Sequence, residues 1–250
     1  ETISAEDLLS QLKQDPAWVA GQREAARREA ALEMEIARHE RPILDDLANA
    51  GYEMPSLEAT EYSVPLPKAA VEVLLRWAPK AHWRVQESVV RLLAAAEEPF
   101  DGRVLTRLFD HTLCEDTDSM IAERAVALND LRWAIANTIA CTRPFGVSKW
   151  LRRTLQDPRL GQSKQMLFIA AARMLDASEA AALIAPFFEE FPAQCASALG
   201  ECGGEKELSF LRDKLTLVTG ETKKELKRAI RRIQKRISDG DLDVGNGHLA

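Results

Sequence analysis

Proline and glycine divide this sequence into segments of helical length, and this punctuation constrains the fold more than any other feature. From Pro67 onward, segments with apolar residues at helical spacing follow one another with short turns between them. The pattern predicts ten helices, at about 67–77, 82–96, 103–112, 120–141, 147–156, 162–175, 178–190, 192–202, 204–217 and 222–237. In chain order they form five consecutive helix pairs.

The second helix of each pair carries a similar run of small and apolar residues. Approximate anchors for these runs are Val90, Ala134, Ala170, Ala198 and Ala229. The anchors are separated by 44, 36, 28 and 31 residues. Irregular helix-pair periods in this range are typical of an α-solenoid, in which each pair buries its apolar side only by stacking on its neighbours. Small anchor residues allow adjacent helices to approach closely.

The residues before this region predict a separate helical extension. Residues 1–62 contain a long, charged, mostly solvated helix from Ala17 to His39, followed by a short helix that Pro42 opens and Gly51 ends. The predicted organisation is therefore an N-terminal extension (1–62), a repeat region (67–237) and a polar tail (238–250).

Composition excludes several classes of protein. A hydrophobic content of 46% with 12 glycines in 250 residues excludes disordered and collagen-like chains. No run of 18 apolar residues occurs, so no membrane partner is expected. The acidic, polar N-terminal residues do not resemble a signal peptide. The four cysteines show no CxxC motif and are predicted to be small core residues of a cytoplasmic protein: Cys114, Cys141, Cys195 and Cys202.

The repeat region resembles the HEAT family. The resemblance rests on Ala198–Gly204 followed by Glu207–Leu211, which looks like a second helix running into the next first helix. Asp176–Leu183 repeats that junction, and Pro186 stands where a first helix of this family is often kinked. The resemblance covers about 67–237. It implies an all-α, right-handed solenoid of about five helix pairs, whose second helices line a concave face.

No catalytic signature is present. The sequence lacks HExxH, GxSxG and GxGxxG motifs, and Gly200–Lys206 lacks the spacing of a phosphate-binding loop. No catalytic residue and no cofactor are therefore predicted. The acidic segments 110–118 and 239–245 lack a recognised metal spacing, and the first of them is at most a contact for a basic partner. No histidine has a Cys or His partner at ligand spacing, so all are predicted to lie on the surface without a metal: His39, His82, His111 and His248.

The last predicted helix is strongly basic. Residues 221–236 contain eight Lys or Arg and two Glu, a net charge of +6 within a chain of net charge −6, so the remainder carries −12. One interpretation is a polar cap that ends the solenoid. The alternative is a docking face for an acidic protein, RNA or DNA. The candidate docking residues are Lys224, Lys227, Arg228, Arg231 and Arg232.

A second candidate surface lies on the helix at 120–141. Asp130, Trp133 and Asn137 share one stripe at spacings of three and four, beside an apolar stripe. Together with Arg132, they are predicted to bind a partner on the concave face. The alternative interpretation is that Trp133 packs between repeats, which is the more usual environment of tryptophan.

These features favour a non-catalytic protein–protein interaction module or scaffold. The acidic surface outside the last helix suits a basic or mixed-charge protein partner, and one version is an inhibitor or immunity-like protein. The alternative is an enzyme acting on nucleic acid. Some DNA glycosylases have HEAT-like repeats and use an aromatic side chain and an aspartate, as Trp133 and Asp130 would provide. The negative charge disfavours nucleic acid as the partner.

Overall fold

The computed structural model of the protein describes residues 4–58, 65–115 and 121–240, and over these ranges it is all-helical with no β-strand. The helices there are α1 (Ala5–Gln14), α2 (Pro16–Asn49), α3 (Lys68–Trp77), α4 (Trp83–Leu92), α5 (Arg103–Cys114), α6 (Ala122–Thr142), α7 (Ser148–Leu155), α8 (Lys164–Met174), α9 (Ala177–Ile184), α10 (Pro192–Cys202), α11 (Glu205–Leu215) and α12 (Gly220–Ser238). Short 3-10 turns follow α4 and α9 and precede α8.

The ten predicted helices from position 67 onward are present with small differences at their ends. Residues 192–202 match α10 at both ends. The segment predicted at 178–190 ends earlier, because Pro186 lies in a 3-10 turn at Ala185–Phe187. Proline has no backbone N–H and cannot continue the helical hydrogen-bond ladder. From position 67 onward, the proline and glycine punctuation therefore located the elements correctly.

The predicted break at Pro42 is wrong, because α2 runs through it as one helix of 34 residues. Its first turn is capped by Asp15, whose carboxylate accepts a hydrogen bond from the N–H of Ala17 at 2.8 Å. Immediately after Pro42, Ile43 and Leu47 are completely buried. Burial of these side chains offsets the backbone hydrogen bond that the proline cannot make. Residues 20–34 are exposed, as predicted for a solvated helix.

Replacing Pro42 by alanine is expected to stabilise the protein. Pro42 is exposed, so the substitution removes no core packing, while it restores an N–H inside α2. The helix gain of about 3 kcal/mol is reduced by the greater entropy of the unfolded chain, which leaves about 2 kcal/mol. Equilibrium unfolding in urea measures the change. If the urea midpoint and the denaturant dependence of the unfolding free energy did not change, Pro42 would not destabilise α2.

Each predicted pair is a packed unit, since α3 contacts α4, α5 contacts α6, α7 contacts α8, α9 contacts α10 and α11 contacts α12. The second helices of the pairs also contact one another in order: α4 with α6, α6 with α8, α8 with α10 and α10 with α12. One cross-link is polar: the hydroxyl of Thr138 in α6 donates to the carbonyl of Val90 in α4 at 2.9 Å. The five second helices thus form a continuous row.

Close packing of two helices in this row is seen where α10 crosses α12. A Cβ atom on Gly200 would lie 3.0 Å from both Cα and Cβ of Ala229, so only glycine fits there without displacement. Arg236 secures the crossing by donating to the carbonyls of Gly200 at 2.8 Å and Gly203 at 2.6 Å. A cation at the end of α10 also interacts favourably with the helix dipole.

A single apolar core runs through the pairs and includes the end of α2. Ile43 and Leu47 of α2 belong to the same buried cluster as Ile233 of α12. A hydrogen bond of 2.8 Å from the indole N–H of Trp77 to Asp46 also ties α2 to α3. The last part of the N-terminal extension therefore packs on the repeat region, whereas residues 20–34 extend into solvent.

Candidate partner-binding surfaces

The outer stripe of α6 is the first candidate surface. Asp130, Trp133 and Asn137 are all exposed, and Trp133 has 41% of its surface accessible. The neighbouring apolar stripe is buried, with Leu131, Ile135 and Ile139 in the core. This division follows from helical periodicity, which turns one stripe inward and the other outward. Trp133 is therefore not enclosed between repeats, and its ring is available for contact.

Arg132 does not belong to this surface. Its Nε donates to the hydroxyl of Thr112 at 3.0 Å, and its terminal nitrogen donates to the Thr112 carbonyl near the end of α5. Burial lowers the pKa of its guanidinium, an effect that the carboxylate of Glu115 opposes. The side chain links α5 to α6, so a partner docked on Trp133 would not meet its charge.

A ladder of polar side chains crosses the row of second helices. Its members lie three residues after the small anchors of successive repeats: Asn137 in α6, Arg173 in α8, Glu201 in α10 and Arg232 in α12. Glu201 pairs with Arg173 at 3.3 Å and with Arg232 at 3.2 Å. The anchors were recognisable in the sequence, but the ladder needs the alignment of neighbouring helices that only the structure provides.

The basic residues of α12 divide into two rows. The first row is engaged: Lys224 pairs with Glu221, Arg228 with Glu225 and Arg232 with Glu201, while Arg236 caps α10. The second row, which we call the basic row, is exposed, and its side chains have no hydrogen bond or ion pair within the described ranges; it comprises Lys223, Lys227, Arg231 and Lys235.

The two rows separate the predicted docking residues. Of the five candidates, Lys227 and Arg231 lie in the basic row, whereas Lys224, Arg228 and Arg232 already have acidic partners. The sequence holds the signal for this division, because the acidic residues Glu221 and Glu225 precede Lys224 and Arg228 by three positions. The unpaired positive charge of α12 is thus concentrated on one side of the helix.

The acidic segment at 110–118 is only partly described, since positions 116–118 lie outside the described residues. Asp110 accepts hydrogen bonds from the indole of Trp150 at 2.8 Å and from Arg153 at 3.1 Å. Glu115 pairs with Arg124 at 2.9 Å. Both carboxylates therefore have partners within the fold. The tail segment at 239–245 is described only as far as position 240.

A cleft of about 610 Å³ opens beside these residues, between α4, α5 and α6. Its walls combine the aromatic ring of Trp83 with both signs of charge, from Arg107, Glu115 and Arg124.

The cysteine prediction is correct for two residues and wrong for two. Cys195 and Cys202 are buried, and burial raises the pKa of each thiol to about 12, which leaves both protonated and unreactive. Cys114 and Cys141 are exposed. They lie near the ends of α5 and α6, where the core no longer covers the side chain.

Comparison of the chain with protein-family models, with curated proteins and with solved structures finds no significant match. None of the helices within the described ranges is both long and apolar enough to cross a membrane.

Proposed function

We propose that the protein is a non-catalytic interaction module built as a right-handed, HEAT-like α-solenoid. Two observations support the solenoid. The second helices contact one another in sequence order, and two small residues, Gly200 and Ala229, meet where α10 crosses α12. A solenoid presents an extended face to a partner, and in this proposal the row of second helices forms the concave face.

The observation that carries the proposed function is the exposure of Trp133 beside Asp130 and Asn137 on that row. An exposed tryptophan flanked by polar groups is the composition typical of an interface hot spot. The partner in this proposal is a basic or mixed-charge protein, because the chain outside residues 221–236 carries a net charge of −12. A basic effector neutralised by an inhibitor or immunity-like protein is one such case. Four unpaired cysteines are in keeping with action in the cytoplasm.

The Trp133→Ala variant is expected to bind the partner at least tenfold more weakly while unfolding at the same denaturant concentration as the parent. Loss of an exposed hot-spot aromatic costs about 2 kcal/mol of binding but little folding energy. A photo-crosslinking amino acid placed at Asn137 first captures and identifies the partner, and isothermal titration calorimetry then compares the variants. Leu217→Ala is the matched control, because Leu217 is 74% exposed in the turn between α11 and α12. Equal losses from both variants, or none from Trp133→Ala, would contradict the proposed surface.

The alternative function is that of a HEAT-like DNA glycosylase. It is supported by the exposed carboxylate of Asp130 beside Trp133. Duplex binding requires cations around such a site. Here Arg132 turns to Thr112, and Arg173 is paired with Glu201. Within the described ranges, the basic row lies on α12 instead. Tight, salt-sensitive duplex binding that disappears in the Trp133→Ala variant would favour the enzyme and overturn the interaction module.

A further inference from the structure

His82 meets two residues that lie far from it in sequence, Glu35 and His39, where α2 packs beside α4. Glu35 and His39 lie one turn apart on α2, and His82 immediately precedes α4. One ligand atom from each side chain lies within 4.8 Å of the other two, and all three residues are partly buried. His39 and His82, which were predicted to lie on the surface, are partly buried and adjoin each other.

The arrangement follows from helix geometry and from the cap of α4. Residues four apart share one face of a helix, so Glu35 and His39 point in the same direction. The N–H of Arg84 contacts Nδ1 of His82 at 3.5 Å, which holds this ring at the start of α4. That distance is at the long limit for a hydrogen bond. A stronger ligand can therefore replace this weak hydrogen bond at Nδ1 of His82.

The two histidine rings of the cluster stack on each other. The His39 and His82 rings lie with centroids 3.8 Å apart and planes 3° from parallel. Because an imidazole binds a metal ion in the plane of its ring, one ring must turn before both can bind the same ion. Nε of Arg84 is buried without a hydrogen-bond partner among the described residues, although it lies 3.3 Å from the Glu35 carboxylate.

Two arginines must be accommodated by any cation placed here. Arg38 lies 3.4 Å from Nε2 of His39 and is exposed, so its side chain can turn into solvent. Arg84 already pairs with Glu123 at 3.2 Å and lies over the Trp83 ring. These contacts retain the guanidinium when the Glu35 carboxylate turns toward a metal. Burial, with a smaller contribution from His39, lowers the pKa of His82.

We propose that Glu35, His39 and His82 bind one divalent transition-metal ion of the zinc class. Two imidazoles and one carboxylate form a donor set that Zn²⁺ accepts readily, and solvent can supply a fourth ligand at this partly exposed position. The ion would join α2 to α4 and so fasten the N-terminal extension to the first helix pair. It provides a structural clamp and takes no part in the partner-binding surfaces.

The test is a titration of the full, untagged, metal-free chain with Zn²⁺ at pH 7.5, in a Cys114→Ser, Cys141→Ser background that removes the exposed thiols. We expect one ion per chain, a higher melting temperature with the ion bound, and at least tenfold weaker binding in His39→Ala, His82→Ala and Glu35→Gln. Binding should weaken in acid, because metal ligands must be deprotonated. Co²⁺ in place of Zn²⁺ should give a visible ligand-field spectrum that His82→Ala abolishes.

His111→Ala is the matched control. His111 pairs with Glu115 across one turn of α5 at 3.4 Å, the same spacing as Glu35 and His39, but no third ligand adjoins that pair in the described part of the chain. This variant should bind Zn²⁺ as tightly as the parent, and circular dichroism should show that all variants remain folded. Binding that is absent in the parent, or that falls equally in His111→Ala and His39→Ala, would overturn the proposal.

Discussion

Replacing Phe168 by alanine is expected to lower the free energy of unfolding by about 3–5 kcal/mol. Phe168 of α8 is completely buried at the middle of the helix row. Its ring stacks on Phe187 with a centroid distance of 5.8 Å and contacts the edge of Phe191 at 6.0 Å. Alanine would remove both ring contacts and leave a cavity in the core. Chemical denaturation followed by circular dichroism measures the loss.

The control for this substitution is Phe145→Ala. Phe145 has 57% of its surface exposed in the turn after α6, so its removal should change stability by less than about 0.5 kcal/mol. The prediction would be contradicted if Phe168→Ala had the same free energy of unfolding as the parent. It would also be contradicted if Phe145→Ala lost as much stability as Phe168→Ala.

The Gly200→Leu variant is expected to lose about 3 kcal/mol, because it forces α12 away from α10. The new side chain would meet the backbone of Ala229, which cannot rotate aside as a flexible side chain can. Displacement of α12 would also separate Arg236 from the carbonyls of Gly200 and Gly203. We expect a lower unfolding midpoint and faster amide exchange in α12 than in α8.

Gly21→Leu is the matched control, since a Cβ atom on Gly21 would meet nothing within 4 Å. Gly21 lies inside the exposed part of α2, where leucine has the better helix propensity, so this variant should gain about 0.5–1 kcal/mol. Destabilisation of similar size in both variants would mean that the crossing of α10 and α12 is not the cause.

Much of the secondary structure was predictable because helix ends depend on local chemistry. Proline, glycine and side-chain caps act within a few residues, and Asp176 illustrates this by accepting hydrogen bonds from the N–H groups of Ser178 at 3.0 Å and Glu179 at 3.2 Å. Pro42 is the exception. Its helix continues because Ile43 and Leu47 are buried against distant residues, and a local pattern does not contain that contribution.

The candidate surfaces were predictable only in part for the same reason. The stripe of Asp130, Trp133 and Asn137 depends on one helix alone, and periodicity identified it correctly. The position of Arg132 depends on α5, and that of His39 depends on the start of α4. Contacts between helices that lie 20 or more residues apart leave no short-range signal. The sequence shows that Glu35 and His39 are four residues apart, but only the structure shows that His82 lies beside them.

The proposed metal site lies at the point on α2 where exposure gives way to burial. Residues 20–34 are exposed, Glu35 and His39 are partly covered, and Glu40 is buried. At about 1.5 Å per residue, the exposed stretch extends about 22 Å from this point. A change of about 10° in the direction of α2 near Glu35 would therefore move residue 20 by about 4 Å. A metal ion bound at this point would limit how far the exposed stretch moves.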